Sequence, residues 1–550
     1  MTTTEEPSSP PEQAPSRPST SDLWTREQVA AKILSGDHLV VYHDLLLRIP
    51  SKWLEKHPGG ALSILHFVGR DASDEIDSYH PDQVVELIRR YKIGVVAVPW
   101  APLVPPVASG WVRTDSNAWF NEAATLRKGK TEILLVPKSK FNAATKDAPT
   151  LAPTRDALEP PPSTLSLADQ ARHSAAYKEL HQRVRDAGLY DTRYIAGYGP
   201  EFARYTLLAA ISAYSYVNGW YITSAVFLGL FWQQLTFIAH DLGHVSVTHN
   251  WAIDRILGTL IADWIGGLSI GWWVDNHNVH HLRAVILSLS ASNNFRATPT
   301  SNIFRSSPYR RSFLESVWSS YYKRALYFDR FANFFVQVQH RLFYVVLALA
   351  RFNLYANSYP FILRKTFDTK RARGGRWAWA LEVAGIIFFW SWYSRICAGC
   401  GSWKTGLAYF LVSHIMASPV HVQIVLSHFS MSTEDLGPTE SFPDRQLRTT
   451  TDVICHDWVG WVHGGLQLQV THHLFPRLPR HNLKAASLLV KEFAREQGLV
   501  YAEFGWISGN KDVLGVLKGV ADQVRIMGKV ADAEVKEAME RASSNKLRTT

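Results

Sequence analysis

The longest apolar stretches of the chain occur in pairs, and each pair is broken by a turn. No charged side chain occurs in residues 205–239, and an Asn-Gly pair interrupts this stretch near its middle. A second uncharged stretch covers residues 406–426, and the apolar residues 377–396 precede it after a short turn rich in Cys and Gly. Because a transmembrane helix needs about 20 apolar residues, the pattern predicts two membrane hairpins, at about 205–239 and 377–426, and hence four transmembrane helices.

Polar segments surround these hairpins and divide the rest of the chain. The first residues are acidic, rich in Pro, Ser and Thr and without an apolar core, which is typical of a disordered segment and not of a signal peptide. Apolar runs mixed with charge follow, as in a small soluble α+β domain, and then a Pro-rich stretch. The predicted units are a disordered segment at 1–19, a soluble domain at 20–98, a Pro-rich linker at 99–170, an all-α membrane domain at 171–500 and a helical tail at 501–550.

The composition of the 550 residues indicates a protein that lies partly inside a membrane and partly outside it. Hydrophobic residues make up 46% of the chain and charged residues 19%, so it can bury large cores. A mean hydropathy of −0.10 is nevertheless too low for a chain that is transmembrane throughout. Aromatic residues reach 12%, with 20 Trp and 21 Tyr, and these two residue types favour the interface between membrane and water.

The formal charge of +10 is assigned to a membrane surface and not to a nucleic-acid partner, because of where the basic residues lie. A basic group stands just before the second hairpin: Arg364, Lys365, Lys370, Arg371, Arg373 and Arg376. Clustered positive charge next to a span marks its cytoplasmic side. The three cysteines, Cys397, Cys400 and Cys455, are too few for a disulfide framework, which also fits a reducing compartment.

One set of motifs in the soluble domain predicts a haem site. The motifs are His-Pro-Gly-Gly at 57–60, Gly-Arg-Asp-Ala-Ser at 69–73 and Ile-Asp-Ser-Tyr-His at 76–80. They resemble the cytochrome b5 domain over about residues 20–98, and the resemblance implies that His57 and His80 are the two axial ligands of a b-type haem. Two imidazoles leave the iron no open position, which favours electron transfer over oxygen binding. His66 is the competing histidine, but it does not stand in the family position.

Three further clusters, each rich in histidine, border apolar segments. They are His240 and His244; His277, His280 and His281; and Gln469, His472 and His473. Residues three or four positions apart lie on the same face of a helix, so each cluster directs its side chains to one side. Many neutral imidazoles with few carboxylates suit iron. Hydrolytic zinc is the alternative, but such a site needs a dedicated general base and typically about three protein ligands.

These clusters resemble those of the membrane-bound fatty-acid and sphingolipid desaturases. Gln469, in place of the first imidazole of the third cluster, resembles the front-end group of that family, which is fused to an N-terminal cytochrome b5. The closest likeness is to the fungal delta-8 sphingolipid desaturases, over most of residues 20–500. The segments that carry it are Trp-Trp-Val-Asp-Asn-His-Asn-Val-His-His at 272–281, His-Val-Gln-Ile-Val-Leu-Ser-His-Phe-Ser at 421–430, Glu-Asp-Leu-Gly-Pro at 434–438 and His-Gly-Gly-Leu-Gln at 463–467.

This resemblance implies an oxidoreductase of the endoplasmic-reticulum membrane that introduces a double bond into the long-chain base of a sphingolipid such as ceramide. It implies oxygen activation at two non-haem iron ions, with electrons passed through the chain's own haem from an NADH-dependent cytochrome b5 reductase. The haem domain and a His-rich cap with the iron site would face the cytosol. The eight cluster residues would form the catalytic set, and His428, at the end of the fourth helix, is either a further ligand or a structural residue.

The spacing of the histidines does not fix the product of the reaction. A front-end acyl desaturase and a lipid hydroxylase abstract hydrogen with the same clusters, so both are alternatives. The alternative from another class is a membrane-tethered electron carrier with an inactive desaturase part.

The likeness stops directly after His281. Members of the resembled family continue with a run of Asp-Pro-Asp-Ile-Gln-His-Leu-Pro-Phe-Phe, whereas residues 282–311 contain nothing similar. Residues 297–308 can be back-translated so that a shift of one base reads Asp-Pro-Asp-Ile-Gln-His-Leu-Pro-Phe-Phe-Ala. We therefore expect a frameshift or a retained intron in the gene model across about residues 282–311. Real divergence in a loop is the alternative.

The chain as given is expected to take up haem but to be a weak or inactive desaturase, because an out-of-frame segment would misdirect His280 and His281. Loss of the partners that orient metal ligands typically costs about 10–100-fold in metal affinity or activity. A version with the reading frame restored should be active. Sequencing of the transcript checks this: a mature message that encodes residues 282–311 as given, from a fully active protein, would contradict it.

Overall fold

The computed structural model describes residues 23–54, 56–113, 118–121, 152–283, 316–319, 324–327, 330–367, 375–432 and 435–548. The segment expected to be disordered, 1–19, and residues 284–311 of the suspected out-of-frame segment lie outside this range. The described residues form a small unit with a sheet, followed by a larger helical unit. This order of an α+β unit before a helical unit is the one that the sequence predicts.

The first unit is built on a four-stranded sheet with the order β1-β4-β3-β2. Strands β2 and β3 form an antiparallel hairpin, and β1 pairs with β4 in parallel. The strands are β1 (Leu23–Trp24), β2 (His38–Tyr42), β3 (Leu45–Ile49) and β4 (Lys92–Val96). The helices are α1 (Arg26–Leu34), α2 (Ser51–Leu54), α3 (Leu62–Leu65), α4 (Ser73–Tyr79) and α5 (Asp82–Arg89).

Local sequence signals explain how this unit begins. The Thr25 side chain accepts a hydrogen bond from the backbone N–H of Gln28, and the Gln28 side chain accepts one from the backbone N–H of Thr25. This reciprocal pair is a capping box, which satisfies two N–H groups that a helix start leaves without partners. The helix then buries Val29 and Ile33 against Leu39 of strand β2. The first core therefore forms between α1 and the sheet.

Part of the Pro-rich stretch packs on the same core. Trp100, Leu103 and Leu158 are buried there together with the residues of α1 and β2. The indole N–H of Trp100 donates to the carbonyl of Gly69 (3.0 Å). The core of the first unit thus includes side chains that lie beyond residue 98.

Helices dominate the rest of the chain. They are α6 (Leu167–Asp186), α7 (Gly199–Val217), α8 (Tyr221–Gly243), α9 (Trp251–Thr259), α10 (Ile270–Arg283), α11 (Arg330–Ala348), α12 (Ala350–Phe367), α13 (Gly375–Ala398), α14 (Trp403–Met416), α15 (Pro419–Phe429), α16 (Phe442–Thr449), α17 (Gly460–His463), α18 (Gln469–Leu474), α19 (Leu483–Gln497) and α20 (Trp506–Arg548). Three short strand pairs accompany them: β5 (Trp111–Arg113) with β6 (Trp119–Asn121), β7 (Ser316–Ser319) with β8 (Arg324–Tyr327), and β9 (Asp452–Ile454) with β10 (Glu503–Gly505).

Among the described residues, two helical stretches are long and apolar enough to cross a membrane, Tyr221–Gly243 and Trp403–Phe429. The pair Trp251–Ile265 and Ile270–Leu282 is bent by 114° and counts as a third if it forms one broken span. The prediction of four transmembrane helices is therefore correct only in part. The other two hairpin arms do form helices, α7 and α13, but their charged residues and their many Tyr and Trp side chains make them less apolar.

A buried carboxylate accounts for one charge inside α13. Glu382 accepts hydrogen bonds from Arg255 (2.5 Å), from the Ser269 hydroxyl (2.5 Å) and from the backbone N–H of Gly271 (3.3 Å). A charge is tolerated inside a fold when it is paired and hydrogen-bonded in this way. Glu382 thereby ties α13 to the corner at which the chain turns from α9 into α10.

The interior between α8, α13 and α14 is aromatic. The Trp232 ring lies 5.9 Å from the Phe389 ring and 5.2 Å from the Tyr393 ring, measured between centroids. Tyr409 of α14 and Cys400 belong to the same buried cluster. All three cysteines of the chain are free thiols.

Candidate metal centres

The two histidines predicted to bind haem face each other in the first unit. His57 lies in the loop between α2 and α3, and its Nδ1 atom is within hydrogen-bond distance of the carbonyl of Gly60 (3.2 Å) and the hydroxyl of Ser63 (3.0 Å). His80 follows the last residue of α4, and its Nδ1 lies 3.0 Å from the carbonyl of Ile76. An Nδ1 proton held by a carbonyl leaves the Nε2 lone pair for a metal.

The geometry of this pair fits an iron atom between two imidazoles. The ring centroids of His57 and His80 lie 6.0 Å apart, and metal–imidazole bonds of about 2 Å on both sides give a separation of this size. Desolvation inside the fold lowers the pKa of both histidines to about 4, and the neighbouring His80 also lowers that of His57. Both rings are therefore neutral at pH 7 and able to ligate.

The structure brings five histidines of the three clusters together in one group. They are His240 and His244 at the end of α8, His277 and His281 on α10, and His472 on α18. One ligand atom from each lies within 4.8 Å of all the others. The Nε2 atoms are closest between His277 and His240 (3.2 Å), His281 and His277 (3.0 Å), and His472 and His281 (3.1 Å).

These contacts fit a metal ion better than a set of hydrogen bonds. A neutral imidazole carries only one N–H, yet the Nε2 atom of His281 lies close to the Nε2 atoms of both His277 and His472. The Nε2 atom of His244 is buried and has no hydrogen-bond partner among the described residues. Metal–nitrogen bonds of about 2.0–2.1 Å place the nitrogens that share one ion roughly 3 Å apart. We name these five residues the five-histidine group.

A second group adjoins the first and consists of His280, His428 and His473. Neither ring nitrogen of His280 has a hydrogen-bond partner among the described residues, and the same holds for Nε2 of His428 and of His473. The two groups touch, because the rings of His281 and His473 stack with centroids 4.1 Å apart. Two adjoining sets of imidazoles can hold two ions. We name these three residues the three-histidine group.

His428 thus lies among the cluster histidines, although the sequence left its role open between ligand and structural residue. Its Nδ1 atom is 3.3 Å from the carbonyl of Thr449, so Nε2 is the atom that faces His280 and His473. Gln469 begins the helix that carries His472 and His473, and its side chain is buried. The amide oxygen of Gln469 has no hydrogen-bond partner in the part of the chain that the structure describes.

Burial also sets the charge state of the histidines on α18. It holds the pKa of His472 and of His473 well below the ordinary value of an imidazole, so both are neutral at physiological pH. Neutral rings offer lone pairs, whereas protonated rings do not. These two histidines can therefore act as metal ligands, and they are not protonated acids at this pH.

Gln446 is a positioning residue that the sequence motifs do not reveal. It lies on α16 and is fully buried. Its side-chain oxygen is 3.0 Å from Nδ1 of His473, and its side-chain nitrogen donates to the backbone carbonyl of His281 (2.9 Å). Gln446 therefore orients one histidine of the three-histidine group and fixes the backbone of one in the five-histidine group.

Asp452 positions the same short helix from its other end. One oxygen of its carboxyl group accepts the backbone N–H of Val470 (2.9 Å), and the other accepts the hydroxyl of Tyr501. Desolvation raises the pKa of Asp452 to about 7, despite both hydrogen bonds. The strand pair β9 and β10, in which Asp452 lies, thus supports the helix that carries His472 and His473.

Two family models match the chain in the regions where these sites lie. Residues 218–505 match the model described as fatty acid desaturase, and residues 25–97 match the model described as cytochrome b5-like heme/steroid binding domain. The first match contains all eight histidines of the two groups, and the second contains His57 and His80.

Several fungal proteins are similar to the chain over almost its whole length. A protein of Emericella nidulans named delta 8-(E)-sphingolipid desaturase is 39% identical over 533 residues, which cover 92% of this chain and 95% of that protein. A protein of the same name from Komagataella phaffii is 40% identical, with 92% and 94% coverage. A third, from Candida albicans, is 35% identical, with 92% and 96% coverage.

Replacement of either haem histidine should abolish haem binding. We expect the full chain to show a low-spin b-type spectrum, because two imidazoles saturate the iron, and the changes His57→Ala and His80→Ala to remove it. The matched control is His66→Ala, which should retain the spectrum. Absorption spectroscopy of the purified protein checks this assignment, and a retained low-spin spectrum in both ligand variants would show that it is wrong.

The histidines of the two groups should act as a set. We expect His244→Ala, His281→Ala and His473→Ala each to remove iron and activity together, whereas the exposed His456→Ala leaves both unchanged. Gln446→Leu should reduce metal affinity or activity by about 10–100-fold, as is typical when a partner of a metal ligand is lost. Metal analysis of the purified variants is the measurement. Stoichiometric zinc without iron in active protein would refute an iron site.

Proposed function

Because the chain belongs to the membrane fatty-acid desaturase family and carries a cytochrome b5-like domain ahead of its desaturase domain, we propose that it introduces a double bond at the delta-8 position of the long-chain base of a sphingolipid. The observation that carries the proposal is the meeting, in one chain, of a two-histidine haem site with two adjoining groups of buried histidines. The names of the fungal relatives supply the substrate and the position.

The geometry supports the ligand sets that we propose. His57 and His80 hold a b-type haem, the five-histidine group holds one iron ion and the three-histidine group holds the other. Bound there, the iron pair would supply the chemistry of O2 activation and of hydrogen removal from the lipid chain. In the overall reaction, a CH2–CH2 unit, one O2, two electrons and two protons give one CH=CH unit and two molecules of water.

The protein side chains bind and orient the reacting groups. Gln446 and Asp452 hold the direction of the histidines. Seven of the eight imidazoles are buried and that of His277 is half-buried, which limits the access of water to the site. Gln469, with an amide oxygen that has no hydrogen-bond partner among the described residues, belongs to the catalytic set as a polar side chain beside His472 and His473. Exclusion of water protects a reactive site from side reactions.

The proposed membrane topology has four helices in two hairpins. Helices α7 and α8 form the first hairpin, and α13 and α14 with its continuation α15 form the second. The basic residues before α13 support a cytosolic location of the polar parts, and the b5-like domain supports an electron donor on the same side. We place the protein in the endoplasmic-reticulum membrane, with an NADH-dependent cytochrome b5 reductase as the donor. We propose domain limits at 20–98 for the haem-binding domain, 99–170 for the linker, 171–500 for the desaturase domain and 501–550 for the helical tail.

Expression of the protein in a host that lacks delta-8 unsaturated long-chain bases tests the proposal. Mass spectrometry that locates double bonds should detect a delta-8 long-chain base from the version with the reading frame restored, and little or none from the chain as given. The matched His281→Ala change in the restored version should yield none. A new double bond in the acyl chains, or a hydroxylated lipid, would assign the protein to one of the related reactions instead. A haem that is reduced and reoxidised without any lipid product would identify an electron carrier.

A further inference from the structure

Two neighbouring residues in the first unit lie at two different candidate metal sites. His80 is one of the two histidines of the haem site, and Tyr79 comes directly before it at the end of α4. The ring of Tyr79 meets the ring of His281 edge to face, with centroids 6.3 Å apart and an interplanar angle of 80°. His281 belongs to the five-histidine group. One side chain therefore spans the gap between the haem-ligand segment and the metal-ligand segment.

Helix α10 also contacts the loop of the other haem ligand. A Cβ atom on Gly59 would lie 3.2 Å from the side-chain nitrogen of Asn278, and one on Gly60 would lie 3.6 Å from a carboxylate oxygen of Asp275. Leu282, near the end of α10, shares a buried cluster with Phe67 of the first unit. Helix α10 thus contributes ligands to the metal groups with some residues and contacts the haem-binding unit with others.

Hydrogen bonds hold α4 in this position. The Ser78 hydroxyl lies 2.8 Å from the hydroxyl of Tyr177, which donates to the backbone carbonyl of Leu474 (2.6 Å), the residue after His473. The Ser174 hydroxyl donates to Asp74 (2.7 Å). These contacts connect α4 to α6 and to α18, so the haem-ligand helix and the third histidine cluster share one buried network.

We propose that the ring of Tyr79 is the contact through which electrons pass, one at a time, from the haem at His80 to the metal group at His281. Each transfer oxidises the haem iron by one electron and reduces the metal group by one, and Tyr79 itself is neither oxidised nor reduced. The reductant for the haem is the NADH-dependent reductase of the proposed function, on which this inference rests.

The aromatic ring, and not the phenol group, has this role. The Tyr79 hydroxyl is buried and has no hydrogen-bond partner among the described residues. A tyrosine that is itself oxidised has to release its proton to an acceptor, and the described residues offer none to this hydroxyl. Tyr79 is therefore a positioning residue whose ring fills the space between two ligands.

The test compares Tyr79→Phe, which keeps the ring, with Tyr79→Leu, which removes it. A photoexcited flavin with a sacrificial electron donor reduces the haem of the oxidised, iron-loaded full chain in a light pulse, without oxygen or lipid. The reoxidation of the haem is then followed by absorption. We expect Tyr79→Phe to match the unaltered protein and Tyr79→Leu to be several-fold slower, with haem and iron contents unchanged in both. The matched control is Tyr91→Leu, which removes a ring that contacts Trp53. The haem of this variant should be reoxidised at the unaltered rate.

An unaltered rate of haem reoxidation in Tyr79→Leu would overturn the proposal, and so would an equal slowing in Tyr79→Phe. A decrease of about 10–100-fold in the iron affinity of Tyr79→Leu would also overturn it, because such a decrease is typical of a merely structural partner of a metal ligand, here His281. Should Tyr79→Leu not fold, the unaltered protein still provides a test. Its reoxidation should have a rate constant independent of protein concentration, and a rate constant proportional to concentration would mean transfer between chains. Because the assay contains no lipid, its outcome is separate from that of the product analysis.

Discussion

The structure depends on keeping eight neutral imidazoles close together, seven of them buried and one half-buried. A buried polar atom without a hydrogen bond costs about 1–3 kcal/mol, and several ring nitrogens of the two groups have no partner among the described residues. Bound metal ions remove this cost by taking up the lone pairs, so metal binding also stabilises the fold. The surrounding contacts serve the same end: Glu382 fixes the corner before α10, and Gln446 and Asp452 fix α18.

The spacing of residues along the sequence was enough to predict which histidines share one face of a helix. The intervals of three and four residues in the clusters indicate a shared helix face, and the structure shows His277 and His281 side by side on α10. The α+β nature of the first unit could also be predicted, as could the order of a sheet-containing unit before a helical one. The number of spans could not, because aromatic and internal charged residues in α7 and α13 reduce apolarity without preventing a helix.

Contacts between segments that are far apart in the chain could not be predicted from the sequence. Gln446 precedes His473 by 27 residues and follows His281 by 165, and no motif marks it. The assignment of His428 stayed open for the same reason, since only the fold brings α15 beside α10 and α18. Tyr79 is part of a recognisable haem motif, yet that motif contains no information on the partner of its ring. The sequence pattern of a segment indicates which side chains share one face of it, whereas tertiary packing determines which residues those side chains contact.

The attachment of the haem-binding unit to α10 has a kinetic consequence. One haem stores one electron, whereas the formation of one double bond consumes two from the donor. A docked unit supplies each electron without a diffusive search, but it cannot supply both at once. An electron donor must therefore reduce the haem of the same molecule twice in every catalytic cycle. When the electron donor is limiting, turnover depends on the interval between these two reductions, because the unit holds only one electron at a time.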